Sequence, residues 1–157
     1  MGSFLEEKGI TAFMINAGGD IYCSEKPGGE PWVIGLRRPG GEGVIMTIDL
    51  KRMAVATSGD YENVIVDATT GKAMSHIIDP ADDSPRLEMP SSVTVIAPTC
   101  MEADALATGM MAMGGVKALE LAERTSGVEI ITVEQAEDAQ RVECSRGAGK
   151  FISWRQD

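Results

Sequence analysis

Short apolar runs, broken by Gly, Pro, Asp and Ser, dominate the chain. Runs at 10–16, 32–36, 44–48, 53–56, 62–66, 73–78 and 92–97 read as strands, as do 128–133, 141–144 and 151–154. The breaks are turn-forming: Ala17-Gly18-Gly19-Asp20, Arg37-Arg38-Pro39-Gly40-Gly41, Ser58-Gly59-Asp60-Tyr61 and Thr69-Thr70-Gly71-Lys72, the last a hairpin turn. Links this short forbid most parallel crossovers, which need about a dozen residues or more. One stretch carries a strong helix-start signal. Thr99-Cys100-Met101-Glu102 is a capping box, with Thr99 as N-cap and Glu102 reaching back. It opens a helix over 103–113 that Gly114-Gly115 stops, and a second helix over 116–124 closes at Ser126-Gly127. Residues 4–8 read as the last turn of another helix, with Gly9 as its C-cap. The pattern predicts an α+β fold: a mainly antiparallel sheet with two consecutive helices packed on it, in one domain over 1–157.

Composition narrows the function more than the fold. Aromatic residues make up 4% of the 157, so the core must rest on aliphatic side chains and ten Met. The adjacent Met110, Met111 and Met113 are most simply core filler. A formal charge of -10 with scattered basic residues argues against a nucleic-acid partner. An acidic protein that takes a phosphorylated ligand needs a divalent cation between the like charges, which points to Mg. Cys23, Cys100 and Cys144 match no zinc pattern and build no disulfide framework. No apolar run is long enough to span a bilayer, and no export signal opens the chain.

Four places carry candidate chemistry. Asp104 and Thr108 lie four apart on the expected helix, so both oxygens project on one face and suit Mg. The same Asp would also complement the helix dipole with no metal present. His76, the single histidine, sits before an Asp-Pro turn, where it serves either as an acid or base or as a packed structural residue. The turns Ser58-Gly59-Asp60-Tyr61 and Asn16-Ala17-Gly18-Gly19-Asp20 offer oxygens and close backbone approach, or simply hairpin geometry. Cys100 gains thiolate character from the helix N-terminus but has no basic partner beside it in sequence.

Taken in order, these segments resemble the ApbE family. The resemblance is carried by Asn16-Ala17-Gly18-Gly19-Asp20-Ile21, Thr57-Ser58-Gly59-Asp60-Tyr61-Glu62-Asn63 and Ser75-His76-Ile77-Ile78-Asp79-Pro80. It continues through Ser92-Val93-Thr94-Val95-Ile96-Ala97-Pro98 into Glu102-Ala103-Asp104-Ala105-Leu106-Ala107-Thr108. It implies a Mg-dependent FAD:protein FMN transferase that cleaves FAD and attaches FMN to a Ser or Thr hydroxyl of a redox-complex subunit. Metal ligands would be Asp104, Ala107 and Thr108. Gly18, Gly19, Asp20, Ser58, Tyr61 and Ile78 would bind the FAD, and His76 or Asp60 would deprotonate the acceptor. Some family members instead hydrolyse FAD to FMN and AMP, and a non-catalytic flavin-binding or interaction module is a further alternative.

Two departures qualify the resemblance. Ala81-Asp82-Asp83-Ser84 stands where the family usually has a Thr-Gly turn. The aromatic flavin-stacking residue and the Asp-(x)n-Lys-Gly motif of the family's first half have no counterpart here. The chain is therefore expected to be the C-terminal portion of the family domain, with buried surface left exposed and self-association favoured. By resemblance its compartment would be the bacterial cell envelope.

Overall fold

The computed structural model describes residues 1–59, 90–136 and 139–153, and the backbone of four short strands between 60 and 89. The chain opens with α1 (Gly2–Glu7), β1 (Met14–Ala17), β2 (Asp20–Cys23), β3 (Trp32–Arg37), β4 (Val44–Leu50) and β5 (Met53–Gly59). The short strands are β6 (Val64–Val66), β7 (Ala73–Ser75), β8 (Ile78–Asp79) and β9 (Ser84–Pro85). β10 (Ser92–Ala97) leads into α2 (Cys100–Met113) and α3 (Gly115–Arg124), and β11 (Glu129–Ala136), β12 (Ala139–Cys144) and β13 (Ile152–Ser153) follow. The predicted strand over 73–78 is represented by β7 and β8, with residues 76 and 77 outside the described residues.

All the strand pairs among the described residues are antiparallel. Six strands form one sheet in the order β1-β2-β5-β10-β11-β12. A second sheet has the order β13-β4-β3, and β6 pairs with β7 as β8 does with β9. The expected α+β architecture, with two consecutive helices on a mainly antiparallel sheet, is what the molecule has.

Side-chain alternation divides the interior into two layers. On one face of the six-stranded sheet Ala54, Ala56, Val93, Val95, Ala97 and Ile130 meet α2 and α3. On the other face Val55, Ile96 and Ile131 meet Ile34, Leu36, Met46, Ile48 and Leu50 of the second sheet. Met110 and Met111 are fully buried beneath α2, as filler between helix and sheet. Small residues supply much of the helix layer, so the backbones of α2, β5 and β10 lie close together.

The chain ends of these elements follow local rules. Gly9, at φ +80°, closes α1 in a Schellman arrangement: its N–H bonds to Glu6 and that of Ile10 to Leu5. The strand expected from Ile10 begins only at Met14. Phe13 is instead held by Ser24, whose Oγ accepts from the Phe13 N–H at 2.7 Å and donates to its carbonyl at 2.9 Å. Among the described residues no helix is long and apolar enough to cross a membrane.

At the start of β11, Glu129 ties three segments together. It accepts from Ser145 Oγ at 2.6 Å and pairs with Lys150 at 3.5 Å, while Ser145 Oγ accepts from the Ile130 N–H at 3.0 Å. A methyl group on Gly147 would overlap the Glu129 carboxylate, although its backbone is right-handed and suits any residue. Gly147→Ala should therefore cost about 1 kcal/mol, the scale of the displaced Ser145 bond, in urea unfolding. In a Glu129→Ala background the same substitution should cost nothing further; an equal cost there would exclude the clamp.

Candidate functional site

The site is built at the exposed side of α2. Thr99 caps this helix: its Oγ1 accepts from the Glu102 N–H at 3.2 Å and donates to the Glu102 carboxylate at 2.8 Å. The expected N-cap is present, and the Glu102 side chain reaches back to the Thr99 hydroxyl. Burial of Ala103, Ala107, Met110 and Met111 fixes the rotation of the helix. Asp104 and Thr108 consequently face outward together.

Two other segments reach this face. Ser58, near the end of β5, follows Ala54 and Ala56 on the helix side of the strand, and its Oγ lies 3.1 Å from Thr108 Oγ1. Asp20 opens β2, directly after the two-residue turn Gly18-Gly19. Both glycines adopt positive φ, +70° and +109°, and the Asn16 side chain accepts from the Gly19 N–H at 3.0 Å. Asp20 shares the helix-facing side of β2 with Tyr22, which packs against the helix layer.

Like charges accumulate here. Burial, and then the neighbouring Asp104 carboxylate, hold Asp20 above the ordinary carboxylate range. Cys100 departs from expectation in the opposite sense to thiolate formation. Burial first, then the charges of Asp20 and Asp104, push its thiol up, so it stays protonated despite its helix N-terminal position.

Asp20 also forms a wall between two concavities. A groove of about 550 Å³ runs past Ser3, Glu6, Ile15, Tyr22 and Cys100. A smaller one of about 190 Å³ lies towards the second sheet, between Gly18, Gly19, Ile34, Arg37, Val55 and Thr57. Glu6 and Tyr22 were not foreseen as site-lining residues. The signal for Tyr22 is its place two residues after Asp20 on a strand; for Glu6 the sequence holds none.

The described structure thus brings Asp20, Ser58, Asp104 and Thr108 together from three elements, with Gly18 and Gly19 beside them. Ala107 is buried against the sheet, so only its backbone carbonyl can be offered to a ligand. The backbone of β8, which carries Ile78, lies against α2. Asp60, Tyr61 and His76 lie outside the described residues. Among the described residues no group of three His, Cys, Asp or Glu could hold a metal. Two carboxylates and two hydroxyls form instead an all-oxygen set, fitting a hard cation that keeps water and phosphate ligands and unsuited to zinc.

The raised Asp20 titration has a definite sign. The folded state holds the Asp20 proton more tightly than the unfolded chain, whose value is near 3.8. The corresponding stability is complete below that value and is lost as pH rises through the folded pKa. In metal-free buffer Asp20→Asn should match wild type at about pH 3 and be the more stable protein at about pH 7 in urea unfolding. An equal difference at both pH values would show that Asp20 is unperturbed.

Comparison with known proteins gives a consistent picture. The model of the ApbE family matches residues 1–132. The FAD:protein FMN transferase of Haemophilus influenzae is 39% identical over 126 residues, covering 78% of this chain and 36% of that protein. The Vibrio cholerae enzyme of the same name is 33% identical over 156 residues, covering 98% of this chain and 46% of that one. Among solved structures, the flavin transferase ApbE from Vibrio cholerae has a TM-score of 0.76 at 31% identity, covering 95% of this chain and 47% of that one. The ApbE protein of Thermotoga maritima has a TM-score of 0.77 at 34% identity, covering 97% and 51%. The chain spans about half the length, or less, of the relatives it matches.

Proposed function

The chain belongs to the ApbE family, and on that premise we propose that it carries the metal and phosphate side of a Mg-dependent FAD:protein FMN transferase site. The observation that carries this reading is the convergence of Asp20, Ser58, Asp104 and Thr108 on one face, with a hydroxyl pair 3.1 Å apart and a carboxylate held above its ordinary range. An acidic face of this kind takes a diphosphate only with a cation between them.

Asp104 and Thr108 would hold the Mg, with the backbone carbonyl of Ala107 as a third oxygen. Bound there, the metal neutralises charge on the FAD diphosphate. Gly18 and Gly19 leave the backbone open to close approach by the nucleotide, and Asp20 and Ser58 would line its path, with Tyr61 and Ile78 as the further binding residues that the family resemblance implies. His76 or Asp60 would take the proton from the acceptor Ser or Thr hydroxyl. That oxygen then bonds to the FMN phosphorus as the bond to the AMP oxygen breaks, and AMP leaves. Phosphoryl chemistry of this type asks for position and charge neutralisation more than for covalent help.

The test is release of AMP from FAD with Mg, with and without an acceptor peptide containing Ser or Thr. Labelling of the peptide by FMN supports the transferase; AMP without labelling identifies a pyrophosphatase. Absence of both, with no change in flavin fluorescence, leaves a non-catalytic module. Asp104→Ala and Thr108→Ala should each lower turnover by about 100-fold, the scale of a lost charge-stabilising contact. Unchanged turnover of His76→Ala at saturating FAD and Mg would remove His76 from the chemistry and leave Asp60 as the base.

A further inference from the structure

We infer that Ser58 is a positioning residue for the cation site, accepting the Thr108 proton so that the lone pairs of Thr108 Oγ1 face outward. The inference rests on the metal reading above and adds to it a residue that works through Thr108.

A hydroxyl has one proton and two lone pairs. Once Thr108 Oγ1 gives a lone pair to a cation, its proton must point elsewhere. In a helix the usual acceptor is the backbone carbonyl one turn earlier, which draws the hydroxyl along the helix. Ser58 Oγ, 3.1 Å away, offers another acceptor across the gap to β5. Without a ligand either oxygen can donate; a cation on Thr108 sets the direction from Thr108 to Ser58. The Ser58 proton is then free to be donated to an anionic oxygen of the bound nucleotide.

The packing makes this contact stiff. β5 is paired on one side with β2 and on the other with β10, whose register runs to Ser92 opposite Gly59. Ala54, Ala56, Ala103 and Ala107 let helix and strand approach until a side chain as short as Ser spans the distance. Ser58 is half-buried while Thr108 is exposed, so the hydrogen bond is sheltered on its strand side and open on its ligand side.

The test is Mn2+ binding to this chain, followed by the electron paramagnetic resonance signal of the free ion, with no turnover needed. Ser58→Ala should weaken binding by about fivefold, the scale of one hydrogen bond, and Ser58→Thr should stay within about twofold of wild type. Thr108→Ala should weaken binding at least as much as Ser58→Ala. The double variant should be no weaker than Thr108→Ala alone, because Ser58 acts only through Thr108. Additive losses would make Ser58 an independent ligand and overturn the inference, as would wild-type affinity in Ser58→Ala. If wild type itself binds no Mn2+, the cation reading fails and the role of Ser58 falls with it. Metal-free melting curves check folding, and Ser58→Cys, near-isosteric but a weak acceptor, replaces Ser58→Ala if that variant is unfolded.

Discussion

The close seating of α2 on the six-stranded sheet is the constraint from which the remainder follows. It depends on small side chains: Ala54, Ala56 and Ala97 from the sheet, Ala103 and Ala107 from the helix. Interiors pack at crystal-like density, so a larger residue at any of these positions would lift the helix or distort the strands. The separation they permit brings a serine on β5 within hydrogen-bond distance of a threonine on α2. Met110 and Met111 fill the wider space further along the helix, where the thioether chain adapts to an irregular gap.

The same seating concentrates negative charge. Asp20 and Asp104 come from distant parts of the chain and meet beside the Thr99-capped N-terminus of α2. The helix dipole offsets part of this repulsion, and burial works against it. Cys100 records the balance, because its thiol is pushed up where an isolated helix N-terminus would pull it down. Two carboxylates so placed favour a cation over a bare anion by simple Coulomb attraction.

Much of the fold is legible in the sequence because its signals are local. The capping box at Thr99 and Glu102 locates α2, the Val- and Ile-rich run at Ser92–Ala97 locates β10, and the two glycines after Ala17 mark a hairpin. Boundaries fail where a non-local partner decides them. Phe13 pairs with the Ser24 side chain, and β1 starts later than its apolar run suggests. The site is legible only in part for the same reason. Helical spacing places Asp104 and Thr108 on one face, and the family resemblance brings the Asp20 and Ser58 segments into view. That Asp20 touches the field of Asp104, or that Ser58 reaches Thr108, depends on strand order β2-β5-β10, which no local pattern encodes.

The Ser58–Thr108 contact joins positions 50 residues apart, and the Asp20–Asp104 pair bridges an even longer stretch of chain. Closing loops of that length costs entropy before any contact rewards it. The site therefore belongs to the late stage of folding, after the hairpin and the helix have formed by local contacts. A cation bound there would recognise the finished fold and not its precursors, and would hold the sheet and the helix together by mass action.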